Sequence, residues 1–134
     1  MKNHIAHISL LVDDYDDAIK FYTNKLGFEL IEDTRLSENK RWVLIAPKGA
    51  SGCNLLLAKA ANAEQQNRVG NQTGGRVFLF LHTDNFSRDY QQMLDKQVNF
   101  VRKPTDEAYG TVAVFEDLYG NLWDFIGPTT ASAV

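Results

Sequence analysis

The sequence predicts an α+β fold in which one βαβββ module is written twice within a single domain of 134 residues. Three observations carry that expectation. The first is Gly110–Pro128, GTVAVFEDLYGNLWDFIGP, which reads as strand, tight turn, strand. Thr111–Glu116 is rich in β-formers, Asp117-Leu118-Tyr119-Gly120 is a turn ending in glycine, and Leu122–Ile126 is the return strand. The second is a weaker copy of this layout at Pro47–Ala58. The third is an apolar strand that runs into a polar pair and an aromatic residue, found at Asp13-Asp14-Tyr15 and again at Asp84-Asn85-Phe86.

Each element follows in order. His4–Val12 (HIAHISLLV) is strand one. Asp13 or Asp14 caps the next helix, and Asp16 and Asp17 place negative charge at its positive end. Tyr15, Ala18, Ile19, Tyr22 and Leu26 recur at helical spacing, so Asp14–Leu26 is an amphipathic helix closed by Gly27. Phe28–Arg35 is strand two, Ser37–Lys40 a turn, Arg41–Ala46 strand three and Cys53–Lys59 strand four. The first module thus spans about residues 4–59. Residues 60–75 are a polar connection with one helical turn around Ala63–Asn67, long enough to be a crossing segment or a ligand-touching loop. The second module, about 76–127, repeats the pattern: Arg76–Thr83 is a strand, and Phe86, Tyr90, Met93 and Leu94 mark a helix. Asn99–Arg102 is a short strand and Lys103–Tyr109 a loop containing Pro104, followed by the closing hairpin. Thr129–Val134 is a small-residue tail expected to fray.

Composition bounds the function. Hydrophobic residues are 44% of the chain, enough to fill a core, and a net charge of −3 with no basic stripe argues against nucleic acid. The lone Cys53 excludes an intrachain disulfide and fits a reducing compartment. No charged-then-apolar leader is seen, and no apolar run approaches the roughly 18 residues that would span a bilayer. The expectation is a cytoplasmic protein that does not engage a membrane.

The repeat also pairs positions. Asp13 with Asp84 gives an offset of 71, which carries His7 onto Phe78; Gly52 with Gly120 gives 68, which carries Leu56 onto Asp124. Because side chains alternate along strands, Ile5, His7, Ser9 and Leu11 share one face, and Arg76, Phe78, Phe80 and His82 share its counterpart. Asp124 shares its face with Leu122 and Ile126. The opposite faces (Ala6, Ile8, Leu10; Val77, Leu79, Leu81) are expected beneath helices, which leaves the His7 and Phe78 faces on the concave side. An inward carboxylate is costly to bury unless it is paired, so Asp124 is a candidate ligand or base. His7 is either a ligand, a general base or a hydrogen-bonded core histidine. Trp42, Phe78 and Phe80 face the same side, with Tyr109 on the adjoining loop. Such aromatics suit a flat apolar molecule, although each is also ordinary core material.

The segment AHISLLVDDYDDAIKFYTNKLGFEL (Ala6–Leu30) and the hairpin DLYGNLWDF resemble the vicinal oxygen chelate superfamily, over about Ile5 to Gly127. That group includes glyoxalase I, bleomycin resistance proteins, fosfomycin resistance enzymes and extradiol dioxygenases. The resemblance implies a glyoxalase-like curved mixed sheet around a cavity, a bound small molecule or metal, and a homodimer. Metal sites of the group draw on up to four positions, two from each half, which the register places at His7, Leu56, Phe78 and Asp124. Only His7 and Asp124 carry donors, so a zinc, nickel, iron or manganese ion would keep two of its four positions. Glu107 or Glu116 could supply a third ligand.

Two functions follow from the resemblance. One is a metal-dependent lyase or isomerase, or a dioxygenase-related enzyme, with His7 as ligand and Asp124 as ligand or base. The other is a metal-free protein that sequesters an aromatic or antibiotic-like ligand, with Trp42, Leu56, Phe78, Phe80 and Tyr109 lining its pocket. The substrate, and any use of glutathione, are not legible in the residues.

Overall fold

The computed structural model describes residues 1–49 and 51–129, so the tail expected to fray lies, from residue 130 on, outside the described residues. The chain forms two compact units, Met1–Val69 and Gly70–Val134. Each holds one α+β module with a four-stranded mixed sheet. The boundary falls inside the connection expected at 60–75.

The first unit runs β1 (His7–Val12), α1 (Tyr15–Lys20), a π-helical turn (Phe21–Lys25), β2 (Glu29–Arg35), β3 (Arg41–Ala46), β4 (Asn54–Lys59) and α2 (Ala63–Arg68). Strand order is β1-β4-β3-β2, with β1 parallel to β4 and the other pairs antiparallel. Asp14, not Asp13, caps α1: its carboxylate accepts the Asp17 N–H at 2.9 Å. The predicted helix does not stay α-helical to Leu26. Thr23 Oγ1 donates to the Ile19 carbonyl at 2.7 Å, competing for the acceptor a regular turn would use, and the helix widens there. The Phe28 N–H then reaches the Tyr22 carbonyl at 2.9 Å and turns the chain into β2. Leu10, Val12, Val43, Ile45 and Leu57 alternate onto the face packed with Tyr22, and all are fully buried. Each such side chain contributes about 1.5–3 kcal/mol.

The second unit runs β5 (Leu79–His82), α3 (Phe86–Asp95), β6 (Asn99–Glu107), β7 (Gly110–Glu116) and β8 (Leu122–Gly127), in the order β5-β8-β7-β6. Asn85 caps α3 by accepting the Arg88 N–H at 3.1 Å. Phe86 of α3 meets Phe125 at 4.9 Å between ring centroids, and Tyr90 meets Phe100 at 4.7 Å. Phe115 and Trp123 stack behind them at 5.8 Å. Trp123 is therefore core, opposite in face to Asp124, as alternation requires. Leu94, placed on the helix's apolar stripe by spacing, is 40% exposed instead.

Strand boundaries differ from expectation at three main places, the first being β1, which begins at His7 rather than His4. β5 begins at Leu79 rather than Arg76, although the Phe78 N–H already donates to the Leu122 carbonyl at 2.8 Å. β6 continues through the expected loop to Glu107, interrupted by irregularities after Phe100 and Arg102. Pro104 does not break it, because β6 is an edge strand, where a missing N–H costs no ladder bond.

The Asp117–Asn121 turn is held by one carboxylate. Asp117 Oδ1 accepts the backbone N–H groups of Tyr119, Gly120 and Asn121 at 2.9, 3.0 and 2.9 Å, and Oδ2 accepts Asn121 Nδ2 at 3.0 Å. Both Asp117 and Asn121 are buried. The backbone at Gly70 packs against the Tyr119 carbonyl with φ of +77°, so closely that a Cβ there would collide with it. The Asn71–Gly75 segment is thereby a brace for the closing hairpin, with the Gln72 N–H donating to Asn121 Oδ1.

Register confirms the repeat. Ser9 pairs with Leu56 in the first unit and Phe80 with Asp124 in the second, which are the same offsets of 71 and 68.

Candidate functional site

In the first unit, one sheet face carries His7 and Ser9 on β1, Leu56 on β4, and Leu44 and Trp42 on β3. Ser9, Leu56 and Leu44 lie abreast across three strands. The Trp42 ring leans over this row and meets the His7 imidazole edge-on, 5.8 Å between centroids at 77°. Two residues named from parity are thus brought together, with Leu56 in the row between their strands. His7 is exposed and Trp42 half-buried, as befits the less filled side of the sheet.

In the second unit the equivalent face carries Phe78, Phe80 and His82 beside Leu122, Asp124 and Ile126. Phe80 lies directly abreast of Asp124, and Val114 flanks Asp124 on the other side. Phe80 is 62% exposed, a large ring left in water on a strand. Asp124 is half-buried among these apolar side chains and has no hydrogen-bond or ion-pair partner among the described residues. Tyr109 sits in the β6–β7 turn and is 72% exposed.

The first unit also holds a cavity of about 620 Å³, within the ordinary range for a small-molecule site. Its origin is the sheet's own pairing. β3 and β4 are paired only from Val43–Ile45 to Leu55–Leu57. β4 stays with β1 as far as Lys59, while β3 stays with β2 back to Arg41. Trp42 and Ala58 therefore face each other across an unpaired gap, roofed by Tyr15, Lys40, Lys59 and Gln65. Of the residues expected to line a pocket, Trp42 and Leu56 border this cavity, while Phe78, Phe80 and Tyr109 belong to the second unit; its other lining residues were not named from the sequence. Tyr15 reads as helix core, Lys40 as a turn residue and Lys59 as a strand end, and no spacing rule joins them.

Arg41 fixes one bank of this gap. Its guanidinium binds Asp33 through Nε at 3.1 Å and Nη2 at 2.7 Å, binds Asp16 through Nη1 at 3.0 Å, and lies over the Tyr15 ring. The Arg41 N–H donates to Tyr15 Oη at 3.2 Å. Hydrogen bonding to Arg41, with its charge, holds the Asp33 carboxyl below the usual range. Asp89 in the second unit is pushed up by burial, but bonds from Arg88 and Thr83 outweigh this and hold it low.

The donor set does not suit a resident metal ion. Of the four positions the register assigns, Leu56 and Phe78 have no donor atom, and within neither unit do three His, Cys, Asp or Glu side chains gather among the described residues. A catalytic zinc or facial-triad site needs three protein ligands. No helix among the described residues is long and apolar enough to cross a membrane.

Duplicated βαβββ units, register-equivalent and each leaving one aromatic sheet face partly open, define a class of α+β protein built by repetition. The chain belongs to the Glyoxalase/Bleomycin resistance protein/Dioxygenase superfamily, whose model matches residues 4–125. It is 60% identical over 127 residues, 94% of each chain, to an uncharacterized protein of Shewanella frigidimarina (strain NCIMB 400). Among solved structures it is similar to UcmS2, with 30% identity, a TM-score of 0.82 and coverage of 94% of this chain and 98% of that one. It is also similar to TnmS3, an antibiotic binding protein from Streptomyces sp. CB03234, with 27% identity, a TM-score of 0.75 and coverage of 96% and 98%.

Proposed function

We propose that this protein binds a small apolar or aromatic molecule and needs no metal ion to do so. The observation that carries this reading is the substitution of apolar side chains for donors on the two equivalent sheet faces. Leu56 stands between His7 and Trp42, and Phe78 precedes a ring, Phe80, that is left 62% exposed. Exposed aromatic surface on a strand is expensive to maintain without a use. The antibiotic-binding description of TnmS3 supports the same reading. A homodimer belongs to this proposal: a second copy would cover part of the exposed apolar surface on Ile5, Ile31 and Phe80.

The test uses Nile red, a neutral apolar dye, and the purified protein after dialysis against a chelator. Dye emission should rise on binding at micromolar concentration, and Trp42→Ala should weaken binding about tenfold or more. Trp123→Phe, remote from the open faces, serves as the control. One observation favours a second reading: Asp124 is a half-buried carboxylate without a hydrogen-bond or ion-pair partner among the described residues, beside Phe80 and Val114, where it could accept a proton from a bound molecule. A stoichiometric divalent ion that survives dialysis and disappears in both His7→Ala and Asp124→Ala would favour a lyase or isomerase, and would sink the metal-free proposal.

A further inference from the structure

We infer that the gap between β3 and β4 receives an anionic group, so that the ligand is an organic carboxylate whose apolar body lies on Trp42 and Leu56. This deepens the binding reading above and rests on it. The charged side chains lining the cavity are Lys40, Arg41 and Lys59, and no Asp or Glu lines it. That is a local excess of positive charge in a chain whose net charge is −3. The three cations are not equivalent. Arg41 is committed to Asp33 and Asp16, with contacts of 2.7 and 3.0 Å. Lys40 and Lys59 have no ion-pair partner among the described residues, and they approach the gap from opposite banks, one before β3 and one at the end of β4.

The polar neighbours suit the same guest. The Gln65 Oε1 is occupied by the Ala61 N–H at 2.7 Å, which leaves its amide NH₂ as a donor. Asn39 adds one more neutral polar side chain, and the remaining walls, Tyr15, Trp42, Leu56, Leu57 and three alanines, are apolar or aromatic. Charge attraction is stronger beside such walls than in open water. A carboxylate set between two ammonium groups and an amide donor, with its hydrocarbon part on Trp42, would leave neither charge nor ring unmatched.

The experiment compares 2-naphthoate with its neutral isostere 2-naphthamide by calorimetry, at low and at moderate salt. The naphthoate should bind about tenfold tighter or better, and the preference should shrink with added salt. In the Lys40→Gln/Lys59→Gln double variant the two affinities should fall within about twofold of each other. Equal affinities in the wild-type protein, or a preference that persists in the double variant, would overturn the anion inference and leave the binding reading standing. Binding of Nile red without binding of either naphthalene would overturn it in the same way. If none of the three binds, both readings fall.

Discussion

At the scale of single residues, two carboxylates do opposite work. Asp117 is buried and accepts at least four bonds, three of them from consecutive backbone N–H groups. Replacing it by Ala leaves buried donors without an acceptor, at a cost of about 2–3 kcal/mol. A urea denaturation series should show that loss as a lower midpoint with little change in slope. Asp33 lies nearer the surface, with its side chain 30% exposed against Arg41 at 17%. Because Arg41 depresses its folded-state value below 3.8, its stabilisation is fully present above that pH and drains away as acid protonates it in the fold. Asp33→Asn should cost about 1 kcal/mol near neutrality, and the gap from wild type should narrow in acid. Unfolding midpoints at about pH 7 and about pH 2.5 test the sign. Parity alone identified Asp124 as a carboxylate among apolar neighbours. The role of Asp117 was hidden, because a turn signature reveals a bend and not which oxygen holds it.

At the scale of elements, the closing hairpin is braced from outside its own sequence. Gly70 approaches the Tyr119 carbonyl with a positive φ, and a methyl group can be housed there only by moving the backbone. Gly70→Ala should therefore destabilise by more than about 2 kcal/mol, through both strain and collision. A thermal melt several degrees lower checks it. A Gly at position 120, within the turn, was readable from turn chemistry. One at 70, some fifty residues away, was not, because its constraint is tertiary. Strands β3 and β4 and helix α3 were legible nearly to the residue, since their apolar spacing is regular and their ends carry Pro47, Lys59 and Asn85. The widening of α1 after Lys20 was not, because apolar spacing does not distinguish a π turn from an α turn over five residues. The length of β6 was missed because Pro104 reads as a breaker unless the strand is known to lie at an edge.

At the scale of the molecule, repetition made the site partly legible. Offsets taken from two motifs made His7 equivalent to Phe78 and Leu56 equivalent to Asp124, and the strand pairing keeps those offsets, with Ser9 beside Leu56 in one sheet and Phe80 beside Asp124 in the other. The cavity's lysines could not be found this way, since the first sheet's parting has no counterpart in the repeat pattern. Light scattering at micromolar concentration should report twice the 15.1 kDa chain mass, and a monomer would count against the proposed dimer. The short seam joining β3 to β4 carries one last implication. Three residue pairs tie two ribbons into one sheet. A guest lodged beyond the last pair would act as an added rung, so occupancy and cohesion of the first unit are coupled: whatever fills the gap also fastens the sheet that forms it.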